Sequence, residues 1–238
     1  MKSVTRRDFV RSSVAAGVAV SAIAGPAGAS NTASPEETIK IIAVSCSPRK
    51  GKSTAAALQV CLEAAKAVSP RIETELVELA GLKINGNVAA GVPLEAGERD
   101  DFPTLVPKLK DPKVRGVIIG TPVYFGNMSS LCKAFLERCI VLYQPDYAWS
   151  NKAAGVVAVG GTRNGGQEAT IQSVHVSLSC QEMIIVGNGR PSSRIGGTVW
   201  SGAEGGVLKD EFGMTTTKTL GRRVAEVALR MAGFTRPA

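Results

Sequence analysis

The chain has a single histidine and five cysteines with no C-x-x-C pair, so it lacks the spacing signature of a protein metal site. His175 falls inside a helical pattern and reads as neither ligand nor base. An odd cysteine count at irregular spacing (46, 61, 132, 139 and 180) is not a disulfide framework either. Cys61, Cys132 and Cys139 sit in helical patterns and are expected in the core. Charge of one sign is also scarce. The net charge is +8, but Lys2, Arg6, Arg7 and Arg11 against Asp8 supply +3 of it, leaving +5 spread over the rest. No basic run exists beyond Pro48 to Lys52, so nucleic acid is not an expected partner. The most apolar early run, Val14 to Ile23, is too short and too rich in Ala and Gly for a membrane span.

That early run belongs instead to an address. Thr5-Arg6-Arg7-Asp8-Phe9-Val10 is a twin-arginine motif, and Ala27-Gly28-Ala29 is an A-x-A-like cleavage site. Residues 1–29 are therefore expected as a twin-arginine signal peptide, 30–38 as a polar linker and 39–232 as one folded domain. The export route implies a periplasmic or otherwise exported protein, tethered to the membrane if the signal stays uncleaved.

The domain opens on its most informative stretch. Ile39 to Val44 is short, apolar and β-branched, as in a strand buried on both faces. Ser53 to Val68 is rich in Ala and Leu and predicts a helix. Between them lie Ser45, Ser47, Arg49, Lys52, Ser53 and Thr54. A strand, a polar turn and a helix N-terminus make an anion site, because first-turn N–H groups have no intrahelical partner and the helix dipole favours negative charge. The G-x-x-x-x-G-K-[ST] pattern of nucleotide triphosphatases fits at Gly51, Lys52 and Ser53 but fails at Cys46, where its first glycine belongs. An ordinary capped strand–turn–helix also accounts for this stretch taken alone.

Further along, Arg71 to Leu79 alternates as an edge strand, and residues 80–101 form an irregular insertion. A short helix is expected in Phe102 to Leu109, a buried strand in Val114 to Gly120 and a helix from Ser129 or Ser130 to about Leu142. Ala153 to Val159 predicts the next strand, Gln167 to Ser179 a helix, and Met183 to Val186 the start of the last strand. Residues 187–213 read as a Gly-rich segment and Thr215 to Met231 as an amphipathic helix. Alternating strands and helices imply a parallel sheet with right-handed crossovers. The expected fold is α/β: a flavodoxin-like three-layer sandwich with a five-stranded parallel sheet of order 2-1-3-4-5. In such a sheet the ligand sits beyond the carboxyl ends of the strands, at the switch point.

Three unusual loops then open on one crevice. The first offers phosphate donors. The second, Thr121 to Asn127, offers backbone from Pro122, Val123, Gly126 and Asn127, and aromatic faces from Tyr124 and Phe125 on which a flat ligand can stack. The third, Gly160, Gly161, Thr162, Arg163, Asn164 and Gly165, lets backbone N–H groups approach a ring edge. Phosphate at one end, stacking in the middle and polar backbone at the far edge describe FMN.

At these residues the chain resembles a known family. Ser45-Cys-Ser-Pro-Arg-Lys-Gly-Lys-Ser-Thr54 resembles the G-S-P-R-x-x-G-N-T loop of NADPH-dependent FMN reductase-like flavoproteins and iron–sulfur flavoproteins. Gly120-Thr-Pro-Val-Tyr-Phe-Gly-Asn-Met-Ser129, with Lys133-Ala-Phe-Leu-Glu-Arg138, is similar to their flavin loop. It is also similar to that of the quinone reductases of the tryptophan-repressor-binding-protein type, as are Gly165-Gly-Gln-Glu-Ala-Thr170, Met183-Ile-Ile-Val-Gly187 and Ile195-Gly-Gly-Thr198. The resemblance implies that Ser45, Ser47, Arg49, Ser53 and Thr54 hold the FMN phosphate, with Lys52 in place of the usual Asn. It implies that Pro122 to Asn127 line the isoalloxazine and ribityl, and that Gly160 to Gly165 edge the ring. Cys180 stands where the quinone reductases carry a flavin-side His. Residues 80–101 hold no Cys, so the iron–sulfur cluster of the second group is not expected. The implied activity is electron transfer through FMN from NAD(P)H, or from a redox-protein donor, to a quinone or similar small acceptor, in a homodimer or homotetramer. The alternative is a non-enzymatic flavodoxin-like electron carrier. No side chain is assigned as a catalytic acid or base.

Overall fold

The computed structural model describes residues 37–143, 145 and 147–232. The expected signal peptide and most of the linker lie outside the described residues. Strand β1 (Ile39–Ser45) is buried along nearly its whole length, as its unbroken apolar run requires. Helix α1 (Ser53–Lys66) follows, then β2 (Ile72–Glu78). The insertion contains a 3₁₀ turn at Gly86–Ala90 and leads to a 3₁₀ turn at Phe102–Thr104 and the short α2 (Val106–Leu109). Next come β3 (Val114–Tyr124), a two-residue β4 (Asn127–Met128), α3 (Ser130–Arg138) and α4 (Ile140–Tyr143). The chain ends with β5 (Ala153–Gly160), α5 (Gln167–Ser179), β6 (Ile184–Ile185), β7 (Gly197–Trp200) and α6 (Glu211–Ala232).

The sheet runs β2-β1-β3-β5-β6, with β1, β2, β3, β5, β6 and β7 all in parallel pairings. This is the expected flavodoxin-like order, with β2 at one edge. Alternate residues of the central strands feed two cores. Ile42, Val44, Val117 and Ile119 pack with Phe102, Phe135, Trp149 and Ile171 on one face. Ile41, Ala43 and Ile118 pack with Leu58, Leu62, Leu220 and Val224 on the other. Helices α1 and α6 therefore cover one face and α3 and α5 the other, which makes three layers. No helix among the described residues is long and apolar enough to cross a membrane.

The last strand differs from expectation. The outer position beside β5 is shared by two pieces: β6 pairs with Ala153 and Ala154, and β7 pairs with Val157 to Gly160. Between them the chain loops out and is held by buried Asn188. Its N–H donates to the Arg194 carbonyl at 3.0 Å, and its side-chain amide donates to Ser192 Oγ at 2.9 Å. The glycines that read as loop instead admit close packing: a Cβ on Gly196 would lie 2.5 Å from the Val156 carbonyl oxygen. Helix α6 also starts four residues before the expected Thr215. Asp210 caps it, its Oδ1 accepting the Gly213 N–H at 2.9 Å.

The insertion is fastened to α3. Arg138 and Asp100 form a two-pronged ion pair at 2.9 and 2.7 Å, with side chains only 6% and 9% exposed. Arg138 also donates to the Asn85 carbonyl at 3.1 Å and lies over the Phe102 ring.

Candidate functional site

Strands β1, β3 and β5 are neighbours and run in one direction, so loops 45–53, 124–129 and 160–166 emerge at one edge of the sheet. The first two are tied together. The Cys46 N–H donates to the Gly120 carbonyl at 2.8 Å, and Ser129 Oγ donates to the Cys46 carbonyl at 2.8 Å. Ser129 Oγ also accepts the Cys132 N–H at 3.1 Å and so caps α3. One hydroxyl thus joins the cap to the loop crossing. Ser129→Ala is expected to cost about 1–2 kcal/mol in urea unfolding, the sum of a lost cap and an unpaired carbonyl.

Within the first loop, Ser45, Ser47 and Thr54 are buried, Ser53 is half-buried, and Arg49 and Lys52 are exposed. Ser47 Oγ accepts the Arg49 N–H at 3.2 Å, and the Gly51 N–H donates to Glu78 Oε2 at 2.8 Å, so the turn has a set shape. The N-terminus of α1 has no side-chain cap and no acid in its first turn. Beside it Ser45 Oγ is enclosed without a hydrogen-bond partner. A buried orphan hydroxyl costs about 1–3 kcal/mol. An oxyanion held by first-turn N–H groups would satisfy both deficits, so these residues fit a phosphate group. Cys46 is no part of that chemistry. Its thiol is buried, and burial pushes its pKa well up, assisted by Cys132, so it stays a neutral core side chain.

The second loop is a two-residue hairpin. Val123 pairs with Met128 and Tyr124 with Asn127, while Phe125 and Gly126 take φ of 50° and 74°. Two positive φ values at the tip are those of a type I′ turn, whose twist suits the flanking strands. Buried Thr121 steadies its base, Oγ1 donating to the Pro122 carbonyl and accepting the Ser129 N–H. Phe125 projects fully into solvent at the tip and Tyr124 is 43% exposed, so both are available as aromatic surface. The hairpin is docked on α5: a Cβ on Gly166 would lie 2.9 Å from Gly126 Cα, and Ser173 Oγ donates to Asn127 Oδ1 at 2.8 Å.

The third loop is braced from beneath by Gln167. Its amide nitrogen donates to the Thr162 carbonyl at 2.6 Å and the Val199 carbonyl at 3.3 Å, and its oxygen accepts the Gly165 N–H at 2.9 Å. The Gly165 N–H is therefore committed within the protein. The carbonyls of Gly160 and Gly161 are taken by Ser201 and the Trp200 indole. Arg163 turns away from β3, to an ion pair with Asp210 and to the rings of Trp200 and Phe212. Cys180 is exposed just past the C-terminus of α5, a whole helix away from the loop edge. Gln167 lies within the family-like run Gly165 to Thr170, which gives it no role, and no sequence pattern singles out Asp210. An Asp immediately before an acid-led helix is the available signal for the second.

Comparison with known proteins adds the following. The sequence model of the NADPH-dependent FMN reductase family matches residues 39–196. An iron–sulfur flavoprotein of Methanocaldococcus jannaschii is 37% identical over 192 residues, which cover 79% of this chain and 97% of that protein. An NAD(P)H dehydrogenase (quinone) of Aromatoleum aromaticum is 28% identical, over 66% of this chain and 76% of the other. Among solved structures, RosB with a bound 8-demethyl-8-formylriboflavin-5'-phosphate superposes with a TM-score of 0.62 at 18% identity, over 82% of this chain and 80% of that one. A WrbA-like flavodoxin from Agrobacterium tumefaciens gives 0.57 at 18% identity, over 82% and 99%. These two likenesses concern the fold.

Proposed function

From the NADPH-dependent FMN reductase family, to which this chain belongs, we propose that the three-loop crevice holds FMN and that the protein passes electrons from a donor to a quinone or similar small acceptor. FMN-linked redox activity is the family's chemistry. The orphaned Ser45 Oγ beside the uncapped N-terminus of α1 is the observation that carries the reading.

In this reading Ser45, Ser47, Ser53 and Thr54 hold the phosphate with the α1 N–H groups, and Arg49 and Lys52 balance its charge. Pro122 to Asn127 line the ribityl and ring, with Tyr124 as aromatic wall. Loop 160–166, stiffened by Gln167, edges the ring without having to rearrange. When bound, FMN supplies the electron chemistry, and the protein supplies position and field. Relatives bear the name iron–sulfur flavoprotein. In this chain the insertion 80–101 contains no Cys, and among the described residues no group of three or more His, Cys, Asp or Glu side chains is placed to hold a metal. We read this member as working through FMN alone.

The twin-arginine motif supports export, and an exported member would draw on a redox protein or quinol rather than on a cytoplasmic NADPH pool. A homodimer or homotetramer is proposed on family resemblance. The deciding experiment has two steps. Protein recovered from the exported fraction is expected to be yellow, with a released chromophore that chromatographs as FMN; a colourless protein that takes up no added FMN overturns the cofactor. Steady-state turnover is then compared across donors. Faster oxidation of quinol or a reduced redox protein than of NADPH supports the exported role, and NADPH turnover equal to the best donor overturns it.

A further inference from the structure

Loop 160–166 has a second side. Toward β7 and the start of α6 it bounds a cavity of about 360 Å³, lined by Arg163, Gln167, Glu168, Arg194, Thr198 and Phe212 among others. Strand β7 flanks β5 on the edge away from β3. The cavity therefore lies beside the crevice and shares one wall with it.

Its chemistry points to an anion. Arg163 gives one guanidinium nitrogen to Asp210, but its Nη1 is enclosed without a hydrogen-bond partner. Arg194 has no carboxylate partner among the described residues, and its guanidinium lies 5.9 Å from the Phe212 ring centroid, with that of Arg163 at 5.6 Å. Two cations share one ring with a single buried carboxylate to balance them. Helix α5 begins at this wall with no side-chain cap. The charge count also sets the size of the anion. Arg163 and Arg194 face two carboxylates, buried Asp210, which already holds Arg163, and exposed Glu168 on the rim, so the lining is close to neutral and a singly charged ligand at Arg194 meets far less repulsion than a phosphate dianion. Planar guanidinium groups suit a carboxylate, and the exposed part of Phe212 offers apolar surface for the remainder of the ligand.

We propose that this cavity is a binding site for a small organic carboxylate, taken by the guanidinium groups of Arg194 and Arg163 and seated against Phe212. The volume lies at the lower end of small-molecule sites. The cavity shares loop 160–166 with the proposed ring edge, but none of the phosphate-loop residues lines it, so benzoate binding can be read in flavin-loaded and flavin-free protein alike.

The test is calorimetric titration of the full chain as purified, with benzoate as probe, benzamide as its neutral counterpart and inorganic phosphate as the dianion. Benzoate is expected to bind saturably and benzamide about tenfold or more weakly. Arg194→Gln is expected to weaken benzoate about tenfold, with partial recovery in Arg194→Lys. Arg194 is exposed and outside the helix cap that Arg163 contacts, so its variants should keep the parent's melting curve. Titration of benzoate can be followed independently by Trp200 fluorescence, since Trp200 lies against Arg163. The proposal is overturned by no saturable benzoate binding up to about 10 mM, by equal affinity in Arg194→Gln, or by phosphate displacing benzoate from the site at lower concentration than benzoate itself requires.

Discussion

Ser53→Asp is expected to lower FMN affinity by about two orders of magnitude, roughly 3 kcal/mol, while leaving the fold at least as stable. Ser53 is the first residue of α1, at an N-terminus with no cap and no acid in its first turn. A carboxylate there complements the helix dipole, a gain of about 0.3–1 kcal/mol. The same carboxylate faces the proposed phosphate. Two like unit charges about 5 Å apart at an effective dielectric near 20 repel by about 3 kcal/mol. Binding and stability should therefore move in opposite directions, which a general folding defect cannot mimic. Flavin-fluorescence titration and thermal melting of the same sample read the two effects. Ser53→Asn should bind FMN nearly as the parent does, and riboflavin, which lacks the phosphate, should be almost indifferent to Ser53→Asp. Unchanged FMN affinity in Ser53→Asp would remove the phosphate from this loop.

The second large effect concerns stability. Asp100→Ala is expected to cost about 3–5 kcal/mol, because it strands the Arg138 guanidinium in a site where its side chain is only 6% exposed. The Asn85 carbonyl would remain as a partner but could not neutralise it. The neighbouring pair Arg99–Asp101 has its arginine 64% exposed, so Arg99→Ala should cost far less than Asp100→Ala. Replacing both buried partners, Asp100→Leu with Arg138→Met, should recover much of the loss, since the desolvation cost of the pair disappears with it. The pair also predicts acid sensitivity. The hydrogen bonds from Arg138 hold the Asp100 carboxyl below its ordinary value, with help from the Phe102 N–H and against the cost of burial. A lowered folded pKa means that this contribution is fully present above the unfolded value near about 4 and is lost as pH falls through the lowered one. Urea unfolding from neutral pH down to about pH 3 should show the parent losing this increment and Asp100→Ala showing no such loss. A neutral-pH cost below about 1 kcal/mol for Asp100→Ala would mean that the pair is effectively solvated.

Features written in neighbouring residues are legible in the sequence. Ile39 to Val44 announces a strand buried on both faces by its composition, and Ser53 onward a helix by its Ala and Leu content. Strand–helix alternation then leaves few parallel topologies. The split outer strand is hidden, because Gly196 and Gly197 carry the same local signal in a flexible loop as in a strand pressed against β5. Only the position of the Val156 carbonyl separates the two cases.

The candidate site divides along the same line. Two serines, an arginine and a Ser-Thr pair between a strand and a helix are a local pattern, so the anion loop is legible, as are the two loops that share its edge of the sheet. That Ser45 Oγ lacks a partner, that Gln167 takes the Gly165 N–H, and that Arg163 turns from the crevice to Asp210 are not. The order of the elements, the phosphate-type loop and the edge at which the ligand loops gather follow from the sequence, because hydrophobic period and turn chemistry act over a few residues. Which donors remain unspent, which arginine faces which carboxylate and where the second cavity opens are settled only by tertiary contacts. Those contacts, such as Arg163–Asp210 and Arg138–Asp100, join residues 47 and 38 positions apart in the chain, beyond the reach of any local pattern.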